Sequence, residues 1–370
     1  MKDVLIIGGG LAGLTSAIHL SQAGLKVVLI EKKDYPRNKV CGEYISNEVL
    51  AYLQSLGVNP FELNSKKITH FQLSASSGKF IQEPLDLGGF SVRRYTLDNH
   101  LYQHALKSGV EVLLNTTIQN IEFKNDFFEA SSNKSEIFKA KVVIAAHGKR
   151  SSIDKTLNRP FFQDRAYYIG VKQYFQMPFP DNLVALHNFE GGYCGVSKVE
   201  NDWVNVAYLT TKQSLQKYGT IETLQQNALG KNPFLKEIFE KGKPIFDKPL
   251  VISNVSFQSK KRVCNRILMC GDAAGMISPL CGNGMAMAIH SANIVSGLIL
   301  NFLEGKISRA AMELQYERQW NHLFKNRLFW GKHLQRFMGH SLVSEFSVQG
   351  LKLFPFLLKP IMKQTHGNNY

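Results

Sequence analysis

Gly8, Gly10 and Gly13 stand between an apolar run (Val4–Ile7) and a helical pattern (Leu11–Ala23), and this arrangement constrains the fold of the chain more than any other feature. A short run with no polar break is the mark of a strand buried on both faces of a parallel sheet. A second such run, Lys26–Ile30, closes at Glu31 and completes a βαβ unit of about 30 residues. The three glycines act differently. Gly8 permits the tight turn, Gly10 lets the backbone approach a pyrophosphate, and Gly13 lets helix and strand pack closely. The helix N-terminus, at Leu11 and Ala12, offers free N–H groups and a positive dipole end to phosphate. Glu31 lies eighteen residues beyond Gly13, with Lys32 after it. A carboxylate there accepts hydrogen bonds from a ribose and disfavours a 2′-phosphate.

Composition sets the limits around this unit. Of 370 residues, 44% are hydrophobic and 11% aromatic, too many for a disordered chain. The length suits two or three domains of about 150 residues. A mean hydropathy of −0.15, with no uninterrupted apolar run of about 20 residues, argues against a membrane-spanning helix. The net charge of +15 fits nucleic acid, a membrane surface or an anionic cofactor as partner, or solubility alone. Five scattered cysteines form neither a CxxC pair nor a His-spaced set, so reduced thiols, a cytoplasmic location and no metal are expected. The first twenty residues resemble a secretory signal superficially, but three consecutive glycines interrupt the apolar stretch and another strand follows.

Further along, Asn47–Leu56 and Leu97–Lys107 read as amphipathic helices, and Val110–Leu114, Ile118–Phe123 and Lys141–Ala146 as strands. The middle is different. Tyr167–Met177, Asn182–Glu190, Tyr193–Val199 and Trp203–Thr210 are strand-like, aromatic-rich and closely spaced, the pattern of an antiparallel meander. Gln213–Glu240 reads as helix broken at Pro233, Arg266–Cys270 as a buried strand, and Asn283–Leu303 and the chain from Ser308 as helix.

A second motif, Cys270-Gly271-Asp272-Ala273-Ala274-Gly275, is followed by Pro279 and by Gly282-Asn283-Gly284-Met285. A strand ending in Gly-Asp aims a carboxylate at a polyol, and Gly-Asn-Gly opens a helix whose N–H groups can face an anionic ring edge. The two glycine blocks, about 260 residues apart, resemble the FAD-binding signatures of the p-hydroxybenzoate-hydroxylase-type flavoproteins. That superfamily holds aromatic monooxygenases, geranylgeranyl reductases and flavin-dependent halogenases. The resemblance implies that Asp272 holds the ribityl chain, and that Gly282, Asn283, Gly284 and Met285 meet the isoalloxazine edge with Pro279 close to the reacting face. It implies an α/β fold: a Rossmann-type FAD-binding domain (1–65, 92–158 and 259–304), an inserted antiparallel β-sheet substrate domain (66–91 and 159–258) and a helical C-terminal segment (305–370).

Three further segments extend the resemblance. Arg94-Tyr95-Thr96-Leu97-Asp98 is similar to an Arg-x-x-Phe/Leu-Asp helix opening whose arginine reaches the cofactor, with Arg93 the adjacent alternative. Pro36-Arg37-Asn38-Lys39-Val40-Cys41-Gly42-Glu43 resembles the Pro-x-x-x-x-Cys-Gly stretch near the flavin of the geranylgeranyl-reductase branch. Cys41 is then either a reactive thiol or a small buried side chain. Glu43 is either an acid–base group or the partner of Lys39 or Arg37. Ala146-His147-Gly148 occupies the place of an Asp-Gly segment that serves flavin and nicotinamide binding in the hydroxylases. His147 departs from it and counts against NAD(P)H, the candidate electron donor. The histidine reads as a titrating group or a hydrogen-bonded core residue, and Lys149 and Arg150 as solvated charges. Gly191-Gly192-Tyr193-Cys194-Gly195-Val196-Ser197 matches only partly a Gly-Tyr-x-Trp-aromatic-Pro stretch of the reductases, with Tyr193 lining the substrate face or packing in the sheet.

From Gly305 onward ten Lys or Arg face three acids, mixed with apolar residues. This reads either as an interfacial helix touching membrane or as a helical cap with solvated lysines. The expected function is an FAD-dependent monooxygenase acting on an aromatic or lipid-like substrate. The alternatives are saturation of isoprenoid double bonds, with Cys41 near the reacting carbon, then halogenation, which lacks its Trp-x-Trp-x-Ile segment here, and flavin or lipid-surface binding without turnover. No nucleic-acid partner is expected, because no recognised module accompanies the charge.

Overall fold

The computed structural model describes residues 1–163, 167–337, 341–354, 356 and 360. Its strands are β1 Lys2–Ile7, β2 Val27–Ile30, β3 Tyr44–Ser46, β4 Lys66–Ser74, β5 Phe80–Ser91, β6 Glu111–Leu113, β7 Ile118–Lys124, β8 Phe127–Ser132 and β9 Ile137–Ala145. They continue as β10 Tyr168–Gln176, β11 Leu183–Phe189, β12 Gly192–Lys198, β13 Trp203–Thr211, β14 Lys243–Pro244, β15 Leu250–Val255, β16 Val263–Cys264 and β17 Ile267–Met269. The helices are α1 Leu11–Gln22, α2 Leu50–Ser55, α3 Arg94–Lys107, α4 Ser152–Thr156 and α5 Lys212–Tyr218, then α6 Ile221–Asn227, α7 Pro233–Lys241, α8 Gly284–Leu303, α9 Arg309–Phe337 and α10 Ser341–Leu353.

The first sheet runs β16-β17-β9-β1-β2-β6. β1 pairs in parallel with β2 and β9, β9 with β17 and β2 with β6. Its strands are apolar on both faces because helices cover both: Leu5, Ile6, Val28, Leu29, Val143 and Ile144 are fully buried. Each such side chain contributes about 1.5–3 kcal/mol on leaving water. α1 packs on α3 and α8, and α8 on α9. Among the described residues, α8 is the helix long and apolar enough to cross a membrane. Its Ile289, Ala292, Val295 and Ile299 are instead fully buried in the core of this domain. Tyr316, Trp320 and Phe324 of α9 are buried in the same core, and the Tyr316 hydroxyl donates to the Met269 carbonyl at 2.5 Å. The α9 part of the basic tail is therefore a cap.

The second sheet runs β14-β10-β13-β12-β11-β4-β5-β3, with β15 on β10. β11, β12 and β13 form an antiparallel meander as expected, but β10 pairs with β13 instead of β11, which pairs in parallel with β4. One face packs on α6 and α7 through Phe175, Val196, Val206, Leu224, Leu235 and Ile238. α7 begins at Pro233 with Asn232 as its cap, and a further break falls at Gly219, whose φ of +82° no continuing helix adopts. Asn47–Leu56 opens as a 3₁₀ turn before α2. β3 pairs with β5, so Tyr44–Ser46 joins the second sheet although it lies within 1–65. β4, β5 and β8 are strands beyond those expected from residue pattern; β5 carries Pro84 and the pair Gly88-Gly89, which mask its alternation.

Candidate functional site

A cavity of about 930 Å³ lies between the two sheets. The C-terminal ends of β1, β2 and β9 and the N-termini of α1 and α8 form one half. Gly8 has φ +105°, and a Cβ there would sit 2.5 Å from the Ala146 carbonyl oxygen. Gly10 has nothing within 4 Å of its Cβ position, so open space stands where the helix N–H groups emerge. Gly13 does not line the cavity; a Cβ on it would run into the Gly8 carbonyl oxygen, so it fixes how closely α1 approaches the turn. Glu31 is buried and accepts from Gly9 N at 2.7 Å, from Lys33 N at 3.0 Å and from Arg37 at 3.0 Å. Leu11, Ala12 and Lys32 lie on the same wall.

Opposite, Asp272 lines the cavity, and its carboxylate makes no hydrogen bond within the described residues. Burial raises its pKa, against the opposing charges of Lys260, Arg94 and Lys149. Lys260 donates to the carbonyls of Asp272 and Lys149 at 2.8 and 2.7 Å, and burial lowers its amine to about 8. Pro279 opens the 3₁₀ turn that leads through Gly282 (φ +62°) into α8, and with Gly271, Gly284 and Met285 it lines the cavity. Asn283 is the buried residue at the head of α8 and stays off the wall. A carboxylate facing the cavity without a partner, a glycine opening beneath a helix N-terminus and an acid at the end of β2 match the ribityl chain, pyrophosphate and ribose of an FAD.

Polar groups join this half to the other. Arg94 faces the cavity and holds Asp98 through two bonds of 2.7 and 2.8 Å, so its head group is already engaged by a carboxylate. Lys39 reaches the same carboxylate at 2.5 Å, and burial with the nearby Arg94 charge lowers its amine to about 8. Arg93 points away, to Glu200 at 2.7 Å and over Trp203. Cys41 lines the cavity with its sulfur 3.5 Å from the Met285 sulfur. Glu43 pairs with neither Lys39 nor Arg37. It is fully buried at φ +59°, 2.5 Å from Lys172 and accepting from Tyr174 at 2.9 Å and from Arg94 N at 2.7 Å. Burial raises the Glu43 carboxyl and lowers the Lys172 amine, and their mutual contact, with the bonds from Tyr174 and Arg94 N, opposes the cost of burying Glu43. Residue pattern missed Lys172 and Tyr174. Their signal was period two in β10: they share a face with Gly170, opposite Val171 and Phe175.

His147 lines the cavity floor and is held by Asp154 at 3.0 Å, which Arg159 also binds at 2.7 Å; burial lowers the imidazole pKa. It is a hydrogen-bonded core residue. Lys149 and Arg150 are not free surface charges: Lys149 donates to the Ser253 carbonyl at 2.6 Å, and Arg150 stacks over Phe162.

The other half is apolar. Phe71, Leu73, Val184, Leu186 and Leu209 come from the second sheet. Tyr193 both lines this chamber and packs among Leu73, Leu186 and Val255. α10 closes the chamber with Val343 and Leu351, and Glu345 ties it to the β4–β5 turn by accepting from Ser77 N at 2.8 Å and Ser77 Oγ at 2.7 Å.

Residues 1–322 match the FAD binding domain family. The chain is 27% identical to conditioned medium factor receptor 1 of Dictyostelium discoideum, over 86% of this chain and 67% of that protein. It is 28% identical to digeranylgeranylglycerophospholipid reductase 1 of Methanothermobacter thermautotrophicus, over 84% of this chain and 77% of that one. Two solved structures share its fold. The flavin-dependent halogenase CmlS superposes with a TM-score of 0.78 at 21% identity, covering 89% of this chain, which spans 63% of the halogenase. pqsL of Pseudomonas aeruginosa, described as a probable FAD-dependent monooxygenase, superposes at 0.77 and 15% identity, covering 93% of this chain and 98% of that one.

Proposed function

From the premise that the chain belongs to the FAD binding domain family and is an FAD-dependent oxidoreductase, we propose that it hydroxylates an aromatic or lipid-like molecule. One observation carries this: the cofactor half and the apolar chamber are a single continuous cavity, so a hydrophobic substrate in the chamber meets the redox centre without crossing water. Asp272, Glu31 and the N-termini of α1 and α8 hold the cofactor, while the second sheet and α10 orient the substrate and exclude solvent. When bound and reduced, flavin supplies the electrons, to oxygen for hydroxylation or as hydride to a carbon–carbon double bond. NAD(P)H is the proposed electron donor and the cytoplasm, to which the five free thiols are suited, the proposed location.

A second reading, reduction of an isoprenoid double bond, draws on Cys41, whose thiol lines the cavity beside Met285, and on the likeness to a reductase of a digeranylgeranyl phospholipid. Halogenation draws no support from the tryptophans. Trp203 packs against Arg93, Trp320 is buried in the core and Trp330 is exposed on α9, so none lines the cavity.

The test starts with anaerobic protein whose flavin is reduced by NADPH, NADH or dithionite. Oxygen is then admitted in the presence of alkyl phenols, or prenyl lipids are added without oxygen. Hydroxylation predicts substrate-stimulated oxygen uptake and a product heavier by one oxygen atom. Reoxidation by the alkene alone, with a product heavier by two hydrogens, would replace it with the second reading. Bleaching by dithionite but by neither nicotinamide coenzyme would remove NAD(P)H as donor.

A further inference from the structure

α10 carries large apolar side chains on two faces. Val348 is buried and Leu351 lines the chamber, whereas Leu342, Phe346 and Leu353 are 72%, 73% and 74% exposed. Positions 342, 346 and 353 recur at helical spacing, so they share one outward stripe. Phe354 and Phe356 extend it beyond the helix and are also exposed. Exposed leucines scattered singly need no explanation, but an apolar stripe on one helix marks a contact surface.

The charge around this stripe selects its partner. Glu345 is the acid of α10, and its carboxylate is spent on Ser77, so the outer face presents no free negative charge. Lys352, next to Leu353 on α10, and Lys332 near the end of α9 are exposed. An apolar stripe set among cations matches an anionic lipid surface, whose acyl region takes the side chains and whose headgroups take the lysines. Phe346 belongs to both places: it lines the chamber wall and stands largely exposed on the outer face. The chamber therefore reaches the surface at the stripe itself.

We infer that the outer face of α10 rests on an anionic bilayer, from which the chamber takes its substrate directly. This rests on the reading of the substrate as hydrophobic. Lys359 and Lys363 of the basic tail lie outside the described residues.

The experiment is flotation of the full FAD-loaded chain with vesicles of phosphatidylcholine, with and without phosphatidylglycerol. The wild type is expected to float with the anionic vesicles and to be released by salt. Leu342→Asp/Leu353→Asp, at two exposed positions off the chamber wall, is expected to lower the bound fraction about tenfold or more. Flavin content and thermal midpoint of the variant serve as folding controls. Wild type that fails to float, or a well-folded variant that floats equally, overturns the inference. So does a wild-type dimer in light scattering that the double variant converts to monomer, because a second copy would then cover the stripe. Flavin content and turnover of a soluble short-chain phenol are read separately, so failure of the proposed function is distinguishable from failure of the docking surface.

Discussion

The two halves of the cavity are built on different physics. The cofactor half is made of backbone turns, helix N-termini and charges whose partners are incomplete, as at Asp272. The chamber is made of side-chain packing across a sheet, with α10 as a separate wall fixed at Glu345. The first half can hold one shape of polar ligand, because each donor and acceptor must be met. The second accepts any apolar shape of suitable volume, since burial has no direction. The polar half thus fixes direction at each group, whereas the chamber fixes little beyond volume.

The Glu43–Lys172 pair bolts the halves together, joining the Cys41-Gly42-Glu43 loop to β10 at 2.5 Å with both groups fully buried. Breaking it should have the largest effect. Lys172→Met leaves a carboxylate without its cation in the interior and is expected to cost about 3–5 kcal/mol in chemical denaturation. Glu43→Gln added to Lys172→Met should recover much of that loss, since no bare charge remains. A single variant as stable as wild type would show that the halves are not coupled here.

Next in size is Asp272→Ala, which separates ligand binding from folding. Loss of a charge-assisted acceptor for the ribityl hydroxyls should weaken FAD retention by about ten- to a hundredfold, the equivalent of about 1.5–3 kcal/mol. The flavin-free variant should be at least as stable as the flavin-free wild type, because the substitution removes a carboxylate that burial disfavours. Flavin absorbance after gel filtration checks the first statement and urea titration the second. Unchanged flavin content would remove Asp272 from the binding site.

These contrasts also account for what the residues alone disclose. Gly8, Gly10, Glu31, Gly271 and Asp272 were legible because each is required by a local turn or strand end, and local geometry leaves a fixed spacing. Arg94 was narrowed only to one of two neighbours, since the start of α3 alone decides which points inward. The chamber was barely legible. Residues of β4, β11 and β12 meet there through pairings far apart in the chain, including a parallel β4–β11 contact that no hairpin signal announces. Lys172 looked like any strand lysine until its face of β10 was known to be interior. The role of α10 depended on its position over the sheet, and hydrophobic pattern along the helix could not distinguish the packed stripe from the exposed one.

The smallest predicted effect uses the same residue type in both halves. His187 on β11 is fully buried behind the chamber, bonded to Ser74 Oγ at 2.8 Å and stacked on Phe234 with ring centroids 4.9 Å apart. No carboxylate is bonded to it among the described residues, and burial pushes its pKa down to about 3. Below about pH 6.5 the unfolded chain takes up a proton that the folded chain refuses, so stability falls as pH drops from 6.5 toward 3. The slope is about 1.4 kcal/mol per pH unit, or about 2 kcal/mol between pH 6.5 and pH 5. His147 is lowered in the same direction by burial, but Asp154 favours its charged form and offsets part of the cost. His187→Gln should therefore flatten the acid limb of the stability curve by up to about 2 kcal/mol, and His147→Gln by less. Urea titrations at pH 6.5 and pH 5 measure both. Equal acid losses in wild type and His187→Gln would mean that water reaches this face of the sheet, and that the chamber half is less dry than its packing implies.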